Sequence, residues 1–349
     1  MQKKKALLLM NLGSPESTSV KDVRKYLNEF LMDPKVIDKP WLARLLLVKG
    51  IITPFRAPKS AHAYETVWTK EGSPLIVLTK QLQAALKELH DMPIEITMRY
   101  GNPHPRVAFE NLLKQAPDID EVILFPLYPH YAMSSYETAV EYVKKEYNDN
   151  RAKYKFTLTV VPQFYNHPDY IQAMADAMQP YLQQDYDHLL FSYHGIPARH
   201  LHGCNQKNIP ENVGKPCSEA CPASQYKNCY RYEVYETTRL LTEKLGIPAD
   251  KFSLSFQSRL GKGWLEPFTD KRLEAMPAEG IKKLLIVSPA FVSDCLETLE
   301  ELAIGGKESF IAAGGESYTF IPCMNTNPTW VDAIGTIAGI TVNEKVLAS

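Results

Sequence analysis

Short apolar runs alternate with stretches of helical spacing from one end of the chain to the other. The runs are Ala6–Asn11, Ile94–Arg99, Val122–Pro126, Phe156–Val161, His188–Ser192, Phe252–Gln257, Lys283–Ser288 and Ser317–Ile321, and each predicts a strand. Between them apolar residues recur every three or four positions, as at Val20, Val23, Leu27, Phe30 and Leu31, and again over Tyr170–Leu182. That spacing predicts amphipathic helices. Strand and helix in alternation predict an α/β fold with parallel sheets. No low-complexity linker interrupts the pattern.

Sliding the chain along itself uncovers a repeat. At an offset of 160 residues Val122–Thr138 falls on Lys282–Thr298, so that Pro129 meets Pro289, Tyr131 meets Phe291, and Glu137-Thr138 meets Glu297-Thr298. A second register, offset by 182, lays Met10–Pro15 on Ser192–Pro197. Both copies read as an apolar strand, a proline-bearing loop and a helix. Two similar α/β halves are expected, residues 1–160 with 325–349 closing the first and 161–324 forming the second. A ligand cleft between the halves is expected, because sites in such sheets form at the carboxyl ends of strands.

Composition narrows the function classes. Of 349 residues 45% are apolar and 23% charged, the balance of an ordinary globular protein. Lys plus Arg is 39 and Asp plus Glu 40, a net charge of −1, which argues against a nucleic-acid surface. No apolar run approaches the roughly 18 residues of a spanning helix. The opening Met1–Lys5 followed by Ala6–Met10 imitates a signal peptide, but it runs into Asn11-Leu12-Gly13-Ser14-Pro15 with no cleavage site and is read as a first strand. A cytoplasmic location is expected.

Three constellations carry candidate chemistry, and a cysteine cluster stands apart from them. His194 follows the run His188–Ser192 and precedes Gly195-Ile196-Pro197, which puts a proton-transfer group at a strand's carboxyl end. Asp294, Glu297 and Glu301 stand at i, i+3 and i+7, one acidic stripe on a helix that starts near the same cleft. Such a stripe also fits a plain solvated face. Trp41–Arg56 is rich in large apolar residues, with Arg44, Lys49 and Arg56 among them. It fits a buried helix, an apolar lip for a greasy anionic ligand, or a patch touching a membrane surface. Cys204, Cys217, Cys221 and Cys229 follow the spacing C-x12-C-x3-C-x7-C in a polar segment of about residues 203–230. In a cytosolic chain this points to metal rather than disulfides, and the spacing leaves zinc and iron–sulfur both open.

Several of these segments together resemble the ferrochelatases. Leu189-Leu190-Phe191-Ser192-Tyr193-His194-Gly195-Ile196-Pro197 is similar to that family's signature, as is Ala290-Phe291-Val292-Ser293-Asp294-Cys295-Leu296-Glu297-Thr298-Leu299. The likeness extends through Asn11–Pro15, Phe55–Lys59, Met98–Gly101, Tyr128–Tyr131, Gln257–Gly261 and Trp264-Leu265, nearly the whole chain. It implies two Rossmann-like, chelatase-type halves and insertion of Fe2+ into a porphyrin, the last step of haem synthesis, with porphyrin and ferrous iron as the partners. By the same resemblance His194 is the active-site base and Glu297 the carboxylate facing it, the pair also holding the incoming Fe2+. Asp294 and Glu301 extend the acidic path, while Leu12, Arg56, Tyr64, Trp264 and Phe291 line the porphyrin site. The cysteine insert resembles that of bacterial members holding a [2Fe–2S] cluster, with zinc as the alternative occupant. Protoporphyrin IX is the expected substrate and coproporphyrin III the alternative. A non-catalytic tetrapyrrole- or metal-binding protein on the same fold is the rival outside the enzyme class. Peripheral contact with the inner face of the plasma membrane is the further expectation.

Overall fold

The computed structural model describes residues 3–201, 228–259, 261 and 263–340. Every apolar run read as a strand forms one: β1 (Lys5–Gly13), β2 (Ile94–Tyr100), β3 (Glu121–Pro126), β4 (Thr157–Val160), β5 (His188–His194), β6 (Phe252–Gln257), β7 (Lys283–Val287) and β8 (Ser317–Ile321). They make two four-stranded sheets, in the orders β2-β1-β3-β4 and β6-β5-β7-β8. All neighbouring strands are parallel. Strands covered by helices on both faces, such as β1, β5 and β7, are apolar runs rather than alternations, while the edge strands β4 and β8 keep exposed residues. Leu7–Met10 of β1 and Leu189–Phe191 of β5 are completely buried.

The chain divides into two compact units. One comprises Met1–Leu127, Met133–Pro162 and Ile334–Ser349; the other comprises Tyr128–Ala132 and Gln163–Ala333. Laying β1–β4 on β5–β8 reproduces the strand order, so the repeat read from the sequence is present as a repeated topology. The second register also holds in atomic detail. Gly13 ends β1 at φ 104°, where an added Cβ would stand 1.8 Å from the Tyr100 carbonyl oxygen at the end of β2. Its counterpart Gly195 follows β5, where a Cβ would stand 2.7 Å from the Gln257 carbonyl oxygen at the end of β6. Both loops leave their strand too close to a neighbour for any side chain.

Helices cover the sheets as their spacing predicts. Val20–Leu31 starts at Ser19, whose hydroxyl accepts from the Asp22 N–H at 3.2 Å, and buries Val23, Tyr26, Leu27 and Leu31. The helix read over Tyr170–Leu182 runs instead from Pro168 to Met178, because Pro180 cannot continue it and a short 3-10 turn follows. Three stretches, Leu46–Ile52, Met133–Glu137 and Glu297–Gly306, are π-helical, bonded i to i+5. In the second unit Leu302 of the last of these packs with Leu190, Leu284, Ile286 and Phe310, so one side of the helix is seated in the core.

Candidate active site

His194 is the last residue of β5. Its Nδ1 lies 2.7 Å from the Gly195 carbonyl oxygen. A carbonyl can only accept, so Nδ1 carries the proton and Nε2 of the neutral ring keeps its lone pair. That nitrogen is fit to take a proton or to hold a metal ion, one at a time.

The loops after β5 and β6 are laced together beside it. Gly195 N–H donates to the Gln257 carbonyl at 2.7 Å, Leu265 N–H to Ile196 at 3.0 Å, and Ala198 N–H to Gly263 at 2.9 Å. This pairing sets Trp264 against the Gly195 backbone, its ring 3.4 Å from where a Cβ would be. Phe291 presents its ring at 6.3 Å from the imidazole, inclined by 60°. Trp264 thus lies against the residue after His194, and Phe291 beside the His194 ring.

Glu297 opens the π-helix Glu297–Gly306, and Gln257 Nε2 donates to its backbone carbonyl at 3.4 Å. Glu301 lies four residues on and is largely buried. Burial pushes its carboxyl above the ordinary glutamate range, and the Glu297 charge adds to the push. Two hydrogen bonds from Ser258 and the nearby His194 pull the other way. Ser258 follows β6 with φ 61°, and in that conformation its N–H (2.8 Å) and its hydroxyl both reach the Glu301 carboxylate. The arrangement holds an imidazole and two carboxylates in one electrostatically linked group.

Asp294 does not share the helical stripe. The i, i+3, i+7 reading assumes a helix running through it, whereas its backbone precedes the helix. Its buried carboxylate accepts from Thr298 Oγ1 at 2.9 Å, Cys323 N–H at 3.3 Å and Asn325 Nδ2 at 2.7 Å, and its own N–H donates back to Asn325 Oδ1 at 2.8 Å. The group ties the loop after β7 to the segment after β8.

Leu12, Arg56 and Tyr64 lie in the first unit. Leu12 sits near the end of β1, half-buried, at the position that His194 occupies in the repeat. Arg56 and Tyr64 share the helix Thr53–Val67, the first exposed, the second buried with its ring edge against Trp68 at 5.9 Å. The apolar segment before them is not a buried helix. Trp41, Leu42, Leu46, Ile51 and Phe55 are all exposed, Phe55 at 75%. Among the described residues no helix is long and apolar enough to cross a membrane.

Cys204, Cys217 and Cys221 lie outside the described residues. Cys229 is buried and immediately precedes the helix Tyr230–Leu245. Ser258, Gln257 and Tyr230 were not singled out by residue type. Gln257 and Ser258 belong to the family-like stretch Gln257–Gly261, the first ending β6 and the second following it, and Tyr230 starts the helix after the cysteines.

Two parallel sheets of the same order, with histidine and carboxylates at the strand ends of one of them, define a chelatase-type α/β protein. SirB from Bacillus subtilis, solved with Fe3+, matches 96% of this chain and 96% of its own at a TM-score of 0.52 and 12% identity. The sirohydrochlorin chelatase SirB from Bacillus subtilis subspecies spizizenii, in complex with cobalt, matches 96% and 94% at a TM-score of 0.53 and 10% identity, a likeness of fold. Residues 4–339 match the ferrochelatase family. The ferrochelatase of Pseudomonas entomophila (strain L48) is 48% identical over 328 residues, 93% of this chain and 96% of its own. That of Opitutus terrae is 46% identical over 332 residues, 94% of this chain and 95% of its own. The chain belongs to the ferrochelatase family. It is a metal chelatase, a lyase of the terminal step of haem biosynthesis.

Proposed function

We propose that the enzyme inserts Fe2+ into protoporphyrin IX, with His194 as the base. The observation that carries this is the 2.7 Å bond from His194 Nδ1–H to the Gly195 carbonyl, which leaves Nε2 as the acceptor. Metallation must remove two pyrrole protons, and a base within reach of the ring centre speeds such a transfer by about 10²–10⁴. Glu297 faces His194 across the metal's path and takes part in holding Fe2+ as it loses water. Glu301 receives charge from the pair and passes protons outward. Asp294 contributes by fixing the loop that presents Phe291 and Glu297. Leu12, Arg56, Tyr64, Trp264 and Phe291 are assigned to the porphyrin, Arg56 meeting a propionate.

The apolar exposed segment supports protoporphyrin over the more highly charged coproporphyrin III. It also supports peripheral contact at the cytoplasmic face of a membrane, since Trp41, Leu42, Leu46, Ile51 and Phe55 stand beside Lys49 and Arg56. Anaerobic incubation of the purified protein with Fe2+ and each porphyrin, followed by the haem spectrum, tests the reading. Faster metallation of coproporphyrin III would overturn the substrate, and failure with both would overturn the base.

The four cysteines are assigned to a [2Fe–2S] cluster. Four thiolates are the complete donor set of such a cluster, and the buried Cys229 fits a ligand held away from water. The cluster would cross-link a segment too polar to build a core of its own. Protein purified without oxygen should be reddish-brown and bleached by dithionite, with serine at Cys204, Cys217, Cys221 or Cys229 removing the colour and serine at Cys295 or Cys323 leaving it. A colourless protein with one zinc would overturn the iron–sulfur assignment.

A further inference from the structure

The peptide joining His194 to Gly195 is bonded at both of its polar atoms. Its N–H donates to the Gln257 carbonyl at 2.7 Å, and its carbonyl, that of His194, accepts from the Tyr230 hydroxyl at 2.7 Å. The next carbonyl, that of Gly195, is the acceptor that fixes the imidazole tautomer. Of these bonds only the one from Tyr230 comes from another residue's side chain.

Tyr230 is itself held. It is the first residue of the helix Tyr230–Leu245 and is 5% exposed, so water has little access to replace its hydroxyl. Its ring meets the His130 ring edge-on at 6.1 Å. His130 Nε2 pairs with Thr237 Oγ1 at 2.9 Å, and the Tyr131 N–H donates to the Glu233 carboxylate, both on the same helix.

We propose that Tyr230 is a positioning residue for proton removal: its hydroxyl fixes the His194–Gly195 peptide, and through it the imidazole orientation that turns Nε2 toward the pyrrole protons. This rests on the reading of His194 as the base. Losing the bond leaves a buried carbonyl without its partner and the peptide free to tilt. The ring reorients, and the reacting distance is no longer held.

The test compares Tyr230→Phe with Tyr193→Phe. Tyr193 is the neighbouring buried phenol, bonded to Thr238 Oγ1 at 2.8 Å on the same helix. Both variants lose one buried hydroxyl bond, so both should melt at lower temperature. Tyr230→Phe alone should lower kcat by about tenfold with KM for porphyrin unchanged. Its 15N-histidine spectrum should show His194 as a mixture of tautomers, where the wild type shows the Nδ1–H form. Wild-type kcat in Tyr230→Phe, or equal kcat losses in both variants, would overturn the proposal. If Tyr230→Phe does not fold, the wild-type spectrum still decides, because an Nε2–H tautomer at His194 is incompatible with it. Full activity in His194→Ala would overturn the base reading instead, and so separates the two failures.

Discussion

Replacing Glu233 by glutamine keeps the shape and the acceptor for the Tyr131 N–H while removing the charge. Glu233 is 2% exposed and accepts a hydrogen bond from that amide. Burial pushes its pKa up to about 8 from the ordinary 4.5. Below about pH 4.5 the carboxyl is protonated in both folded and unfolded chains, and ionisation costs the fold nothing. Between pH 4.5 and 8 the unfolded chain ionises while the folded one keeps its proton, so stability falls as pH rises. Above about 8 the loss is complete. At about 1.4 kcal/mol per pH unit the full loss is on the order of 5 kcal/mol. Urea denaturation of both proteins at pH 5, 7 and 9 measures it. The glutamine variant should be within about 1 kcal/mol of wild type at pH 5 and more stable by several kcal/mol at pH 9. The difference between the two proteins removes the contribution of His130, whose pKa burial pushes down to about 3 and which destabilises the fold on the acid side. A difference that stays constant with pH would refute the reasoning.

Three further outcomes are expected. His194→Ala should slow haem formation by about 10²–10⁴ in a stopped-flow metallation assay while porphyrin binding, read by fluorescence quenching, changes no more than a few-fold. Glu297→Gln should depress kcat strongly and Glu301→Gln less, Glu301 lying about a turn further along the helix; equal and negligible effects would leave neither carboxylate a part in the reaction. Gly195→Ala should lower the melting temperature and cost roughly 1–3 kcal/mol, since the new Cβ would stand 2.7 Å from the Gln257 oxygen; an unchanged melting curve would contradict that geometry.

The inner strands were legible because strands buried on both faces are written as continuous apolar runs, a signal that does not depend on distant contacts, and the partly exposed edge strands β4 and β8 by their short runs of β-branched and aromatic residues. The duplication was legible too, and its register lays Leu12 on His194, an apolar residue at one strand end and an imidazole at the other. The π-helices were not legible. Spacings of three and four mark a helix without revealing whether its hydrogen bonds close at i+4 or i+5. Nor was the start of the helix: Asp294 falls in the stripe with Glu297 and Glu301 by spacing alone, although its backbone precedes the helix and its partners Asn325 and Cys323 lie some 30 residues away. Ser258 lies in the family-like stretch Gln257–Gly261, but its bonds to Glu301 were not legible, because they come from a left-handed backbone that faces both donors to one carboxylate.

The π-helix at Glu297–Gly306 has a consequence for insertions and deletions. One residue removed between Glu297 and Glu301 would let the segment close into an ordinary α-helix, with better hydrogen bonds than it has now. The same deletion would bring Glu301 to i+3 and shift it along and around the axis relative to the Ser258 donors that hold its carboxylate. It would also draw Leu302 away from Tyr318, whose hydroxyl donates to the Leu302 carbonyl at 2.7 Å. Point substitutions along this stretch are therefore graded in their effect, whereas a change of length by one residue displaces Glu301 and Leu302 together. The number of residues in this turn is under tighter constraint than the identity of most of them.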